Sequence, residues 1–577
     1  MGQPGGQPAG RRPALRRGRA RPKGVLPAVL SVLAAVWGCA APRQGSDGPA
    51  TSTRAADAAV SEADAGDTLP ARCVLPPPPA SMAWLRDGVG YQIWLRSFRD
   101  SDGDGHGDLG GLLAGLDSLR DGKPGGSDLD VDILWLSPLF PSPSDHGYDA
   151  TDYDHVAAGF GGDAALQALI AAAHARGMRV LLDLVLNHTS NQHPWFQEAA
   201  ADAAAARRSW YVWRDDPAQG QGWGQPWNAK ATVWHASGSA WYYGLFWSGM
   251  PDLNYQQPAV ADAMAKVASD WLGRGVDGFR LDAVRYLVET GPGAGQADTA
   301  PTHAFLQRLR SDARAARSDA GLVGEVWTQS ATVASYLGGD QLDAAFDFDT
   351  TAALRKSVEL QTATFVRDAL CAGAGANGRL QRFAGNHDME RLADVATTLA
   401  WRKLALGLTL LLPGTPWIYQ GDELGLPSGD QPGDQRFRLP LPWAPGAPAY
   451  GFSTGTPWAA VPASYGPLAV ASQDADPNSL RSHVRQLVAL RRAHPALRRG
   501  ELRLLAAEGE LAHQALAWIA SDSESGERLL VVASFADDGV EVVVPAAWRG
   551  AATRIFGVGV SIDRLVGPGV AVWQFAP

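Results

Sequence analysis

From Trp84 onward the chain alternates short apolar runs with Ala-rich stretches of helical character, the rhythm of repeated βα units. Eight runs read as strands: Gly90–Ser97, Val131–Ser137, Arg179–Leu186, Val276–Asp282, Leu322–Trp327, Asp343–Phe348, Leu380–Gly385 and Pro416–Gln420. That pattern predicts an α/β fold, a closed parallel (β/α)8 TIM barrel whose active site sits at the C-terminal ends of the strands. A doubly wound open sheet is the alternative, although no strand here is followed by the Gly-rich phosphate loop of such sheets. The rhythm breaks once. About ninety residues separate the third strand from the fourth, and His193–Met250 within them holds eight tryptophans. Insertions of that length are usually functional. Residues 189–250 are therefore expected to form a subdomain over the barrel mouth, with the barrel itself spanning 81–188 and 251–498. Ser479–Ala496 has helical spacing, and later alternating runs such as Arg528–Ala533 predict a C-terminal antiparallel β-sandwich over 499–577.

The first eighty residues read differently. Arg11 to Lys23 is strongly basic, and Val25 to Trp37 is an apolar run of 13 residues, too short to span a bilayer comfortably. Residues 1–39 are read as a signal peptide, and Val36-Trp37-Gly38-Cys39 resembles a bacterial lipobox with Cys39 as the lipidated residue. The expected location is the cell envelope, or secreted or periplasmic space; a short uncleaved anchor is the alternative. Residues 40–80, rich in Ala, Ser, Asp, Gly and Pro and ending in Pro76–Pro79, are expected to be a flexible linker without a fold.

Charge narrows the partners. Formal net charge is −10, and beyond residue 38 it is −17, with 43 basic against 60 acidic side chains. That balance argues against nucleic acid. The 21 tryptophans are numerous enough for some to stack on apolar faces such as sugar rings. Three cysteines make no disulfide scaffold. With Cys39 lipidated, Cys73 and Cys371 either pair in an oxidising compartment or stay as thiols. No Cys/His cluster has zinc-ligand spacing.

The candidate chemistry lies at the strand ends. The third strand leads into Asn187-His188, the fourth ends Arg280-Leu281-Asp282, the fifth carries Glu325, and the seventh leads into Asn386-His387-Asp388. Arg280 and Asp282 share a strand face, because side chains alternate with period two. Taken singly they could be a structural ion pair; three acids at one mouth are the equipment of glycoside hydrolysis, two flanking the bond and a third orienting the sugar.

These motifs resemble the conserved regions of the α-amylase family, glycoside hydrolase family 13, from about Trp84 to the C-terminus. Met250-Pro251-Asp252-Leu253-Asn254, Ile133–Pro138 and Gly414–Tyr419 extend the match. The resemblance implies a retaining hydrolase of α-glucans or maltooligosaccharides, with Asp282 as nucleophile, Glu325 as general acid/base and Asp388 gripping sugar hydroxyls. It places Arg280, His188, His387 and Tyr148 around subsite −1, with Arg280 keeping Asp282 ionised. Asp149 matches an acid that pairs with an arginine after the last strand in exo-acting relatives. Arg438 is the expected partner, although Pro442 stands where Gln is usual. Asp100-Ser101-Asp102-Gly103-Asp104-Gly105-His106-Gly107-Asp108 places oxygens at every second position. Gly111 occupies the place of an EF-hand's closing Glu. The run matches a first βα loop that holds a divalent ion, implying Ca2+ on Asp100, Asp102, Asp104, Asp108 and the His106 carbonyl. A solvated acidic turn is the alternative, and a second Ca2+ would use Asn187 and Asp252. The sequence is most similar to bacterial lipoprotein α-amylases intermediate between oligo-1,6-glucosidases and neopullulanases. An exo-acting α-glucosidase, an oligo-1,6-glucosidase, a trehalose-synthase-like transglycosylase and a catalytically silent transporter partner are the other readings, the last disfavoured because all three acids are kept.

Overall fold

The computed structural model describes residues 71–577 except 124, 447–448, 507–511, 543–550, 558, 560 and 577. The proposed signal peptide, Cys39 and the linker up to residue 70 lie outside them.

All eight anticipated strands form. In chain order they are β2 (Gly90–Ile93), β3 (Ile133–Leu136), β4 (Arg179–Val185), β8 (Gly278–Asp282), β9 (Gly321–Gly324), β10 (Ala344–Phe346), β11 (Leu380–Phe383) and β12 (Pro416–Tyr419). They close into one parallel barrel, β12 pairing with β2. The strands are shorter than the apolar runs, whose ends belong to the turns that enter and leave the sheet.

Gly278 lets β8 lie close against β9. A Cβ on Gly278 would come within 2.1 Å of the Gly321 carbonyl oxygen. Side-chain-free backbone at this crossing therefore sets how close β8 and β9 lie, and those strands lead to Asp282 and Glu325.

The insertion between β4 and β8 carries the helix Pro194–Ala201 and a small antiparallel sheet of β5 (Trp213–Arg214), β6 (Trp234–Ser237) and β7 (Ala240–Tyr243), in the order β5-β7-β6. An isolated bridge, His188 to Asp252, ties its two ends together at the barrel mouth.

The C-terminal part is a six-stranded antiparallel sheet: β1 (Ala71–Leu75), β13 (Glu501–Leu505), β14 (Ala515–Asp522), β15 (Glu527–Ser534), β19 (Gly569–Phe575) and β17 (Ala552–Gly557). Along β14 the residues alternate between two cores. Leu516, Trp518 and Ala520 join the barrel's core, and Ala517 and Ile519 pack with Val540 and Leu565. The last two belong to the two-stranded ladder of β16 (Val540–Glu541) and β18 (Arg564–Leu565). The helix anticipated near Ser479 runs Leu480–Ala493, with the Ser479 side chain accepting from the Ser482 N–H as its N-cap.

One expectation is corrected. Residues 71–75, assigned to an unfolded linker, form β1 and pair with β13 at the sheet edge. The same segment is bonded covalently through Cys73 to Cys371, with Cα atoms 5.6 Å apart. A five-residue segment between Pro70 and Pro76 is too short to announce a strand, and sheet pairing plus the disulfide hold it in place.

Candidate active site

Arg280 is the centre of the mouth. It is 1% exposed, and its guanidinium meets three carboxylates. Nη1 lies 2.8 Å from Asp183 Oδ1 and 2.6 Å from Asp282 Oδ1, and Nη2 lies 2.8 Å from Glu325 Oε2. The sequence pointed to Asp282 as its partner. Glu325 shares it equally, so Arg280 alone does not distinguish the two acids.

Burial pushes both carboxyls up, against the pull of Arg280: Asp282 to about 6 and Glu325 to about 7. Glu325 also accepts from the Ala283 N–H at 2.9 Å. That N–H is aimed by the left-handed backbone of Ala283, at φ 49°, a turn conformation a non-glycine residue rarely adopts. One residue past Asp282, the strained turn thus fixes the second carboxylate relative to the first.

Asp388 is held the other way. Burial would raise it, but His387 and Arg438 more than offset this and keep it ionised well below the usual range. Its Oδ2 lies 3.0 Å from His387 Nε2 and its Oδ1 2.7 Å from Arg438 Nη2. His387 is fixed on its far side by the Gln92 amide, 2.7 Å from Nδ1, and lies parallel to Tyr148 with ring centroids 5.5 Å apart. Burial lowers its pKa, against the pull of the Asp388 carboxylate. Tyr148 donates to Asp183 Oδ2 at 3.0 Å and lies 2.6 Å from His387 Nε2. His188 is pushed down by burial to about 3, remains neutral, and faces the Tyr148 carbonyl at 3.2 Å. The structure thus brings Asp282, Glu325, Asp388, Arg280, His387, His188, Tyr148 and Arg438 to one mouth.

Asp149 and Arg438 do not pair. Asp149 accepts from Ser142 Oγ at 2.6 Å and from Ser144 Oγ, within its own loop. Arg438 is committed to the His387 carbonyl at 2.9 Å and to Asp388, with its guanidinium over the Trp94 ring. The two loops are nevertheless joined, by Gln435 Nε2 donating to Asp145 Oδ2 at 2.6 Å.

Three supporting residues escaped the sequence reading. Asp183 binds Arg280, Tyr148 and the Trp135 indole at 3.1 Å. Gln92 orients His387, and Trp94 stacks on it with centroids 5.2 Å apart. A signal existed for the first: Asp183 is an acid in the middle of the apolar run Val180–Leu186, and it sits directly across from Arg280 in the β4–β8 register.

In the first βα loop, ligand oxygens of Asp100, Asp102 and Asp108 lie within 4.8 Å of one another, while Asp104 stays outside the triple. No Lys or Arg forms an ion pair with any of these acids among the described residues. Asp100 and Asp108 each accept backbone N–H donors, from Gly103 and Gly105 and from Ser101 and Gly111, but three carboxylates this close without a basic partner still fit a hard divalent cation. The Asn187 and Asp252 position does not. Asn187 Nδ2 donates to Asp252 Oδ2 at 2.9 Å, the Leu245 N–H donates to its Oδ1 at 2.9 Å, and Glu289 faces the same carboxyl. Burial pushes both acids up, Asp252 to about 7, so the pair is served by protons and N–H donors.

The catalytic-domain profile of alpha amylases matches residues 92–500, a stretch that contains every mouth residue described above. The chain belongs to the α-amylase family. It is 32% identical over 429 residues to "Alpha-amylase 3" of Dictyoglomus thermophilum, covering 73% of this chain and 80% of that one. It is 35% identical to the "Probable alpha-glucosidase" of Rhizobium meliloti, covering 74% and 86%. The crystal structure of an alpha-amylase from H. orenii superposes with a TM-score of 0.74 at 31% identity, over 85% of this chain and 99% of that one. The protein is a glycoside hydrolase of the retaining α-amylase type, with the barrel and C-terminal sheet of that family.

Proposed function

We propose that this α-amylase-family member hydrolyses α-1,4-glucosidic bonds of starch-derived glucans and maltooligosaccharides by double displacement. Asp282 attacks the anomeric carbon while Glu325 protonates the departing oxygen; Glu325 then activates water, which releases the sugar with retained α configuration. Asp388, ionised and braced by Arg438 and His387, accepts hydrogen bonds from hydroxyls of the distorted ring. The observation that carries this reading is the single guanidinium of Arg280 bridging Asp282 and Glu325. Such a bridge favours the roughly 5–5.5 Å carboxyl separation of retaining enzymes over the roughly 6.5–9.5 Å of inverting ones.

The acid assignments set a pH profile. Asp282 works ionised, so activity falls as pH drops through about 6. Glu325 works protonated in the first step, so activity falls as pH rises through about 7. A narrow bell in kcat/KM is expected, its limbs belonging to the coupled cluster as a whole. A profile flat from pH 5 to about 9 would contradict the assignment.

A second reading, exo action on short substrates, draws on the Asp145–Gln435 bond, which joins two loops on the Asp388 side of the mouth. The product profile over time from starch, maltotriose and pullulan decides between them. Early long oligomers mean internal cleavage, glucose alone means exo action, and trehalose means isomerisation.

Asp100, Asp102 and Asp108 support one structural Ca2+, which would brace the first βα loop and take no part in bond cleavage. Chelation is expected to lower Tm by a few degrees, about the size a tightly bound ion contributes, with added calcium restoring it. An Asp100→Ala variant should lose that response to chelator. Export and lipid attachment at Cys39 draw on the basic and apolar N-terminal runs and on the Cys73–Cys371 disulfide, which suits an oxidising compartment. The mass of the mature N-terminal peptide tests them.

A further inference from the structure

The two groups that hold Asp388 ionised sit on different loops, His387 on the one leaving β11 and Arg438 on the one that follows β12. Between the roots of those loops lies a buried cation that the catalytic reading does not use. Arg391 comes three residues after Asp388 and is 1% exposed. Its Nη1 donates to the Gln420 carbonyl at 2.7 Å and lies 3.2 Å from Asp422 Oδ1, and its guanidinium lies over the Tyr419 ring, 4.3 Å from the centroid. Gly421, in left-handed backbone at φ 89°, makes room for it: a Cβ there would stand 3.2 Å from Nη2. Arg391 thus fastens the β11 loop to the chain leaving β12.

The residues it fastens are the ones that back the partners of Asp388. The Tyr419 hydroxyl donates to the Phe437 carbonyl at 3.0 Å, one residue before Arg438. Gln420 Oε1 accepts from the Trp94 N–H at 2.9 Å. Trp94 in turn stacks on His387 and carries the Arg438 guanidinium over its ring, 4.3 Å from the centroid. Both partners of Asp388 therefore rest on groups whose position Arg391 helps to fix.

A role in the fold alone accounts poorly for this residue. Arg391 Nε and Nη2 find no acceptor among the described residues, and a buried donor without a partner costs stability. An apolar side chain of similar volume would fill the same space without that cost. What it could not do is hold a carbonyl and a carboxylate just past β12 in fixed directions, as a planar guanidinium does.

We propose that Arg391 is a positioning residue: by tying the loop after β11 to the chain leaving β12, it sets where Asp388 meets the hydroxyls of the distorted sugar, without touching the sugar itself. The proposal deepens the double-displacement reading above and rests on it. Hydrogen bonds to the 2-hydroxyl strengthen in the transition state of such enzymes. A displaced Asp388 therefore costs rate on a substrate that has this hydroxyl, and little on one that lacks it.

The test compares α-glucosyl fluoride with its 2-deoxy counterpart in the full-length protein. Fluoride departs without a sugar on the leaving side, so both substrates read only the half of the site where Asp388 acts. For Arg391→Lys, which keeps the charge and loses the planar fork, kcat/KM on α-glucosyl fluoride should fall about thirtyfold, the size of one charge-assisted hydrogen bond. On the 2-deoxy fluoride it should fall less than about threefold, the scatter expected of a substitution without direct effect. Asp422→Asn, isosteric and one step removed, should show the same preference at about fivefold, and it decides the matter if Arg391→Lys does not fold. Equal losses on both fluorides would make Arg391 a structural prop and overturn the proposal, and unchanged kinetics in folded variants would overturn it too. A wild-type protein that fails on α-glucosyl fluoride would instead strike the double-displacement reading, and this proposal with it.

Discussion

Asp282→Asn should abolish turnover, by about 10^4-fold or more, while leaving the fold intact. The loss is large because an amide cannot form the glycosyl ester through which the reaction passes. The fold should survive because the substitution is isosteric. The Asn oxygen can still accept from Arg280 Nη1, which now lies 2.6 Å from Asp282 Oδ1, and Arg280 keeps its contacts with Asp183 and Glu325. Steady-state hydrolysis of maltotriose together with thermal unfolding checks both halves. A second consequence has a definite sign. Asp282 is among the charges that raise Glu325, so removing it should bring Glu325 down from about 7. Near-normal hydrolysis by the variant would sink the nucleophile assignment. Loss of activity accompanied by unfolding would show that the carboxylate serves the fold, in which case the glycosyl ester must be trapped in the wild type to keep the assignment.

How legible all this was depends on the kind of information each feature carries. The barrel strands were readable because both faces of each are buried, as in Val180–Val185, so they appear as near-continuous apolar runs. The acids at their ends were readable because a carboxylate that closes such a run is conspicuous. Pairings across loops were not. Asp149 and Arg438 lie almost three hundred positions apart, and which acid an arginine takes is settled by side-chain reach. Here Arg438 spends its fork on Asp388 and the His387 carbonyl, while Gln435 and Asp145 join the loops. The strand at Ala71–Leu75 was hidden for a related reason. Its alternation of exposed and buried positions is weak, and its partner strand comes more than four hundred residues later. Supporting residues were hardest of all, because Gln92 and Trp94 show their role only once the barrel closes and sets β2 beside the loop carrying His387.

Asp183→Asn carries the second large expected effect. Asp183 touches no substrate atom in the reading above; it is a positioning residue, 1% exposed, that holds Arg280 at 2.8 Å and the Tyr148 hydroxyl at 3.0 Å. The amide can accept from one of these partners but cannot serve both oxygens as acceptors, because one becomes an NH2 that meets the Trp135 indole and Tyr148 as a donor. Arg280 and Tyr148 should then lose their common anchor, and a displacement near 1 Å at such a centre costs about 10^2-fold in kcat/KM. Poor positioning alone would leave the pH limbs where they were. The charge makes a separate prediction. Asp183 is a like charge that helps raise Asp282, so its removal, with Arg280 left freer to pair with Asp282, should lower the Asp282 pKa. Since Asp282 works ionised, the acid limb should move below about 6. The measurement is kcat/KM against pH for the variant beside the wild type. A variant of normal activity with an unmoved acid limb would show that Arg280 is held by Asp282 and Glu325 alone. A hundredfold loss with the limb unmoved would leave Asp183 a purely steric support and remove it from the electrostatics of the nucleophile.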